Sequence, residues 1–93
     1  MKYALRATSK FKKNYKKMQK RGLRKEELQR VVNLLRDGKQ LENKYQDHTL
    51  KGKMKNYREC HINPDWLLVY KIQDDVLILT LVDTGSHSDL FSK

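Results

Sequence analysis

Cysteine, proline and glycine are scarce in this 93-residue chain, which has one cysteine, one proline and four glycines. The single Cys60 excludes an internal disulfide and favours a reducing compartment. No glycine-rich loop is present to cradle a phosphate, and no Cys/His cluster has the spacing of a zinc site. The sequence therefore predicts that any chemistry here uses neither a metal nor a cofactor.

Long apolar runs are also missing. The N-terminus is charged, and no apolar segment of signal-peptide or membrane length follows it. A chain of this length has room for one modest core, so residues 1–93 are predicted to form a single domain. We expect that domain to be cytoplasmic and to make no contact with a membrane.

Positive charge is abundant, and it is unevenly distributed. The formal net charge is +10, from 21 Lys and Arg against 11 Asp and Glu. Residues 1–30 hold 12 of these bases and two acids, whereas residues 31–93 hold 9 of each. Such a block is typical of a protein that binds nucleic acid, an acidic protein or an anionic membrane surface, and a solvated helix face has the same composition.

Hydrophobic periodicity predicts a short strand and then two helices in the first part of the chain. The strand is predicted over residues 2–7. Thr8 or Ser9 can cap a first helix that runs to about residue 20, and a second helix is predicted over 25–37. The glycines that end these helices are Gly22 and Gly38.

The rest of the chain has the pattern of strands. Residues 39–50 are polar and irregular, and strands are predicted at about 53–57, 59–62, 66–72 and 76–82, the last two forming an antiparallel hairpin. The predicted fold class is α+β. An N-terminal strand and a helical hairpin pack on one face of a twisted antiparallel sheet of about four to five strands.

Histidine is scarce as well, and all three histidines lie in short polar motifs of the C-terminal half. His48 follows an aspartate, His61 begins the segment His-Ile-Asn-Pro-Asp, and His87 follows Thr-Gly-Ser. Imidazole is the side chain best suited to proton transfer near neutral pH. Asp65, across the turn from His61, can orient an imidazole, act as a base or cap the turn.

Basic and aromatic residues near these motifs are candidates for contacts with a polyanion. Lys51, Lys53, Lys55 and Arg58 form an alternating basic stretch on or near the strand predicted at 53–57, and three of them fall on one face at a period of two. That face is predicted to bind phosphates. The only tryptophan, Trp66, begins a buried strand, so we expect its ring in the core and only its edge beside a bound base.

Three segments of the chain carry a family resemblance: Tyr45–Gly52, Asn56–Tyr70 and Thr84–Phe91. They resemble the YafQ branch of the RelE/ParE toxin superfamily, and the similarity covers nearly the whole chain. The resemblance implies a toxin of a type II toxin–antitoxin system that enters the ribosomal A site and cleaves the translated mRNA. It also implies a cognate antitoxin that neutralises the toxin in a hetero-oligomer.

The resemblance places catalytic roles on particular residues, which are His48, His61, Asp65 and His87, and it makes Phe91 a functional aromatic. The implied reaction is attack of a ribose 2′-OH on the adjacent phosphate, with one group acting as base and another as acid. We assign the base to His48 or His61 and the acid to His87.

One position departs from the family pattern. Relatives carry an arginine four residues before the last histidine, where this chain has Asp83. One charge at ~5 Å from the reacting phosphate contributes roughly 3 kcal/mol at an effective dielectric near 20. We therefore predict reduced activity, unless Lys51, Lys53 or Arg58 compensates or Asp83 faces away, and we expect Asp83→Arg to raise cleavage.

Two other functions fit the same fold. A ParE-like toxin acts on a protein target and needs no proton donors, which the histidines argue against. A non-enzymatic module that binds RNA or an antitoxin is made more plausible by Asp83. The lysine-rich first helix suits ribosomal RNA or an acidic antitoxin segment equally well.

Overall fold

A five-stranded sheet with two helices across one face forms the body of the protein in a computed structural model. The structure describes residues 1–91, with every side chain except that of Phe91. Within this range, no helix is long and apolar enough to cross a membrane. The elements are β1 Ala4–Ala7, α1 Ser9–Lys20, α2 Lys25–Arg36, β2 His48–Thr49, β3 Arg58–Asn63, β4 Trp66–Gln73, β5 Ile78–Gly85 and α3 His87–Phe91, with single 3-10 turns at Asn43–Tyr45 and Gly52–Met54.

The two long helices begin and end close to where their sequence signals predict. The Thr8 hydroxyl accepts the N–H of Phe11 at 3.0 Å and donates to the carbonyl of Val82 at 2.6 Å, so Thr8 is the cap of α1 and also ties it to β5. Gly22 and Gly38 have φ of +90° and +75°, the left-handed conformation that ends a helix.

The sheet has the strand order β1-β5-β4-β3-β2. The predicted α+β class is confirmed, and the number of strands is five. One pairing differs from the predicted antiparallel sheet: β1 runs parallel to β5. The other three pairs of strands are antiparallel. The N–H of Thr8 extends the parallel ladder by donating to the carbonyl of Leu81. The strand thus leads directly into the capped start of α1.

The two faces of the sheet have different contents. One face packs against the helices and forms the hydrophobic core, which includes Cys60, Leu68, Leu79 and Leu81 of the strands with Val31 of α2. Side chains alternate along a strand, so the residues between these core positions face the other way. That second face carries Glu59, His61 and Val69, and it is where the polar motifs meet.

The prediction of a strand at 53–57 is wrong. Gly52 has φ of +68°, and the N–H groups of Lys55 and Tyr57 donate to the carbonyls of Gly52 and Met54 at 3.2 and 2.9 Å. These turn hydrogen bonds replace a strand ladder. The alternation of lysines does not follow an alternation of burial, so it gave no real strand signal. A two-residue strand, β2, lies instead in the segment predicted as irregular.

The last strand also lies later than predicted. Val76 and Leu77 form the turn, with φ of +55° at Leu77, and β5 continues to Gly85 through a register shift opposite Val69 and Tyr70. The extension carries Asp83 into the sheet. The short helix α3 follows at once and was not predicted.

Candidate active site

Cross-strand pairing brings the histidine motifs to one face of the sheet. His48 pairs with Glu59, Glu59 with Val69, and Val69 with Asp83, which makes one row across four strands. Directly paired residues project from the same face. In the neighbouring row, His61 pairs with Leu67 and Leu67 with Gly85, two residues before His87. Three separate motifs therefore converge on the face that carries no long helix.

Glu59 lies at the centre of this convergence. Its side chain is buried, with the whole residue 4% exposed, and its Oε2 makes no hydrogen bond within the described part of the chain. Burial raises the pKa of this carboxyl, while positive charge on His48, His61 and His87 lowers it. All three imidazoles are thus within electrostatic reach of one buried carboxyl.

The orientation of His48 is set by a backbone carbonyl. Its Nδ1 lies 2.7 Å from the carbonyl oxygen of Gln46, so Nδ1–H donates, and its Nε2 lies 3.6 Å from Oε1 of Glu59. In the neutral ring this tautomer turns a lone pair toward the carboxyl. The distance between Nε2 and Oε1 is longer than a hydrogen bond, so the two groups interact electrostatically.

Asp47 anchors the strand that carries His48. It accepts hydrogen bonds from the Tyr70 hydroxyl and from Arg58, the latter at 3.2 and 3.3 Å. Arg58 pairs in register with Tyr70 and shares its face of the sheet, opposite to Glu59. The structure therefore does not bring Arg58 to the histidines. Its role is an ion pair that holds β2 against β3.

A capping box positions His87, the first residue of α3. The Ser86 N–H donates to Asp89 Oδ2 at 2.9 Å, and the Asp89 N–H donates to Ser86 Oγ at 3.2 Å. The guanidinium of Arg21 donates two hydrogen bonds to the same carboxylate, to Oδ2 at 2.6 Å and to Oδ1 at 3.3 Å. This pairing holds the pKa of Asp89 well below its usual range. A Cβ at Gly85 would lie 2.9 Å from Asp89 Cβ, so this close approach requires glycine.

Asp65 and Trp66 lie at the tip and the start of the β3–β4 hairpin. Asp65 is exposed, and its N–H donates to Asn63 Oδ1 at 3.0 Å, so Asn63 closes the turn. Trp66 has no exposed surface: its Nε1 donates to Thr84 Oγ1 at 2.7 Å, and its ring stacks on Tyr15 with centroids 6.3 Å apart. The ring is a core group, as expected, and it offers no edge to a base in this conformation.

Two predicted phosphate ligands lie at the margin of the site, and one predicted residue falls outside the description. Lys51 and Lys53 are exposed on the turn that follows β2. They do not share a strand face, because that strand does not exist. The side chain of Phe91 lies outside the described residues.

Asp83 is buried and has three partners. Its Oδ1 accepts from Asn14 Nδ2 at 2.6 Å and from the Thr84 N–H at 2.8 Å, and its Oδ2 lies 3.3 Å from Lys10 Nζ. The cation beside Asp83 is therefore Lys10 of α1. None of the three bases that the sequence suggested forms an ion pair with this carboxylate.

Sequence reasoning missed two residues of this arrangement, and both had a readable signal. Glu59 stands two positions before His61 in a predicted strand, which puts the two side chains on one face. Asp89 completes the pattern Ser-x-x-Asp, a capping box that predicts a helix start. The burial of Glu59 and the pairing of Asp89 with Arg21 were not readable, because both depend on distant parts of the chain.

Residues 3–92 match the model of a family described as the bacterial toxin of type II toxin–antitoxin systems, YafQ. The chain belongs to the YafQ toxin family. The mRNA interferase toxin YafQ of Escherichia coli K12 is 47% identical over 47 residues, which is 50% of this chain and 49% of that protein. The match therefore spans about half the length of this curated YafQ relative.

Solved structures of bacterial toxins resemble this chain over nearly its full length. A metal-bound toxin from Helicobacter pylori shares 44% identity at a TM-score of 0.89, covering 96% of this chain and 99% of that chain. The E. coli DinJ–YafQ toxin–antitoxin complex shares 34% identity at a TM-score of 0.87, with coverages of 98% and 99%. Between residues 1 and 91 here, no group of three or more His, Cys, Asp or Glu is placed to hold a metal ion.

Proposed function

We propose that this YafQ-family protein is an endoribonuclease toxin that cleaves mRNA on the ribosome without a metal ion. The observation that supports this most directly is the strand register, which brings the three histidine motifs to one face of the sheet together with the buried Glu59. Proton donors and acceptors gathered at one polar face are what RNA cleavage by proton transfer requires. The E. coli relative is named an mRNA interferase, and we propose the same class of activity here.

The proposed reaction needs two proton transfers. A base takes the proton of a ribose 2′-OH, and the oxygen attacks the adjacent phosphorus. The bond from phosphorus to the 5′-oxygen breaks, and an acid gives that oxygen a proton, which leaves a 2′,3′-cyclic phosphate and a 5′-OH. Each well-placed transfer contributes about 10²–10⁴ in rate.

His48 or His61 is the proposed base, and His87 is the proposed acid. His48 suits the first role because half of its side chain is exposed and its Nε2 faces Glu59. A carboxylate close to Nε2 stabilises the imidazolium that forms when that nitrogen takes a proton. We propose that the exposed Asp65, at the end of the hairpin that carries His61, orients a ring or a substrate hydroxyl.

Activity is proposed to be reduced relative to a version with a cation at position 83. The Asp83 carboxylate is held beside Lys10, so its charge is partly offset and the penalty is smaller than a bare sign reversal implies. Exposed Lys51 and Lys53 add positive charge near β2. We propose that these lysines bind substrate phosphates.

The proposed partners are the ribosome with its mRNA and a cognate antitoxin, the latter forming a hetero-oligomer with the toxin. The E. coli relative is found in a complex with DinJ, which supports an antitoxin for this chain too. The exposed lysines of α1 present a positive surface to either partner. They are Lys10, Lys12, Lys13, Lys16, Lys17 and Lys20.

Mapping mRNA 5′ ends in a translation reaction, with and without the protein, tests the function. We expect new ends within codons that occupy the A site. His87→Ala should abolish these ends, and Ser88→Ala, at the next exposed position of α3, should not. Toxicity that persists in His87→Ala without cleavage would instead identify a toxin that acts by binding.

A further inference from the structure

An apolar groove lies on the same face of the sheet as the histidines. Its volume is about 350 Å³, which is within the range of about 300–1,000 Å³ typical of sites for small ligands. Five apolar side chains line it: Leu50, Met54, Val69, Val82 and Leu90. Such a surface suits a flat, weakly polar group.

Three residues that line the groove lie close to residues of the candidate active site, along the chain or across the sheet. Leu50 comes two residues after His48, and Leu90 comes three residues after His87, on the same helix. Val69 pairs with Glu59 on one side. The groove therefore lies about one strand spacing, or ~4.8 Å, from Glu59.

A cation marks the other rim of the groove. Lys10 and Asp83 both line it, and their charged groups are 3.3 Å apart. The Lys10 side chain is 63% exposed, whereas that of Asp83 is 11% exposed. The carboxylate is further covered by its hydrogen bonds to Asn14 and the Thr84 N–H. The rim therefore presents an ammonium group with spare N–H donors to any ligand in the groove.

We propose that this groove is a nucleotide subsite of the RNA substrate. The base next to the scissile phosphate packs against the apolar walls, and Lys10 holds a phosphate of the same nucleotide. The subsite rests on the proposed nuclease function and deepens it. Lys10, delivered from α1, then supplies the positive charge that Asp83 does not.

Nuclear magnetic resonance of the full chain with labelled methyl groups tests the subsite. The probes are the 3′,5′-bisphosphates of the four 2′-deoxynucleosides, which lack the attacking hydroxyl and cannot react. We expect shifts at the methyls of Leu50, Met54 and Leu90. A second apolar cavity, lined in part by Leu28 and Leu81 under the helices, is the internal control and should not respond.

Matched lysine variants test the cation. Lys10→Gln should weaken bisphosphate binding several-fold and lower the slope of log K against log salt by about 0.7, the value for one lost contact to a single strand. Lys12→Gln removes the same charge from an exposed position of α1 that does not line the groove, and should have a smaller effect. Met54→Glu places a negative charge in the groove at a partly exposed position and should also weaken binding.

The outcomes separate the subsite from the function. Groove methyls that ignore all four bisphosphates, or that respond no more than the control cavity, overturn the subsite even when the protein cleaves mRNA. Equal effects of Lys10→Gln and Lys12→Gln overturn the role of Lys10. Groove methyls that respond to an antitoxin but to no nucleotide identify a protein-binding groove and also overturn the proposal. A wild-type protein that yields no mRNA cleavage overturns the proposed function, whatever the groove binds.

Discussion

Glu59 is a residue that stability alone does not explain. A buried polar atom without a partner costs about 1–3 kcal/mol, and Glu59 Oε2 is such an atom within the described residues. Its neighbours across the strands include an imidazole and an apolar side chain. We propose that this carboxyl serves the proton transfer proposed for the histidines around it.

Replacing Glu59 with glutamine should lower activity and change how stability varies with pH. Burial raises the pKa of Glu59 above its ordinary 4.5, so the stability that its protonated form contributes is lost as pH rises through the raised value. The unfolding free energy of the wild type relative to Glu59→Gln should therefore fall from pH 4 to pH 8. Each tenfold change in proton affinity corresponds to about 1.4 kcal/mol.

Urea unfolding across that pH range measures the effect, and mRNA cleavage should fall at least about tenfold in the same variant. A difference in unfolding free energy that stays constant with pH would contradict the assigned direction. Wild-type cleavage by Glu59→Gln would remove Glu59 from the mechanism.

Asp83→Asn should raise activity. The amide oxygen can still accept from Asn14 and the Thr84 N–H, while the negative charge beside Lys10 disappears. We expect RNA affinity and cleavage to rise roughly threefold to tenfold, which corresponds to about 0.7–1.4 kcal/mol. Asp83→Arg is a less clean test, because the longer side chain loses both hydrogen bonds and lies beside Lys10.

Steady-state cleavage of a reporter mRNA, with KM and kcat determined separately, measures the change. The expected gain is mainly in KM. A fall in kcat with unaltered unfolding free energy would instead show that the carboxylate takes part in the reaction.

At the scale of elements, α3 depends on distant contacts for its existence. It has five residues, and isolated helices shorter than about 12–15 residues are marginal in water. The Ser86–Asp89 capping box and the ion pair from Arg21, 68 positions earlier in the chain, hold it in place. The orientation of His87 is therefore controlled by the C-terminal end of α1.

Asp89→Asn should reduce kcat more than it changes KM, because it loosens the helix that begins at His87. The free energy of unfolding should change by less than about 1 kcal/mol, since the pair is partly exposed. The pKa of Asp89 is lowered, so this stabilisation is present at neutral pH and is lost only as pH falls below the ordinary value of 3.8.

A double-mutant cycle with Arg21→Gln measures the coupling in kcat. If the effects of the two substitutions on kcat are not additive, Arg21 and Asp89 act together to position His87. Arg24→Gln is the matched control, because Arg24 pairs with the exposed Glu26, at 4.0 Å. Additive effects of the Arg21 and Asp89 variants would show that the ion pair does not act through His87.

The elements that the sequence predicted well are those whose burial follows their periodicity. Both long helices were predicted to within about one residue, because α2 buries Val31 and Leu35 on a single apolar stripe. The segment 53–57 failed because its lysines alternate without any buried partner. The site could be predicted only in part. The three histidines stand out in the sequence because histidine is rare in it. The burial of Glu59 could not be predicted, because it depends on which face of the sheet the rest of the chain covers.

At the scale of the whole molecule, positive charge is concentrated in one part of the fold. The base-rich first 30 residues form β1, α1 and the start of α2. α1 packs along β5 through Phe11 and Met18, which leaves its lysines in solvent. This positive helix borders the groove and the histidine face through Lys10.

Ribosome binding should therefore depend strongly on salt and on these lysines. Each lost phosphate contact lowers the slope of log K against log salt by about 0.7–0.9. Changing Lys13 and Lys16 to glutamine should lower the slope by up to about 1.8 in co-sedimentation with ribosomes. The same change at exposed Lys39 and Lys55, outside the base-rich segment, should have less effect. Equal slopes for the two pairs would contradict a directed surface.

The parallel pairing of β1 with β5 also governs the order in which the protein can be completed during its own synthesis. Residues 4–7 pair with residues 78–81, and the Thr8 cap bonds to Val82. Contacts between such distant segments form late in folding. A growing chain must therefore keep its first strand unpaired until β5 has left the ribosome, and His87 follows only then. A chain on which β5 and α3 have not yet been synthesised lacks Asp83 and His87, so the candidate active face cannot assemble on it.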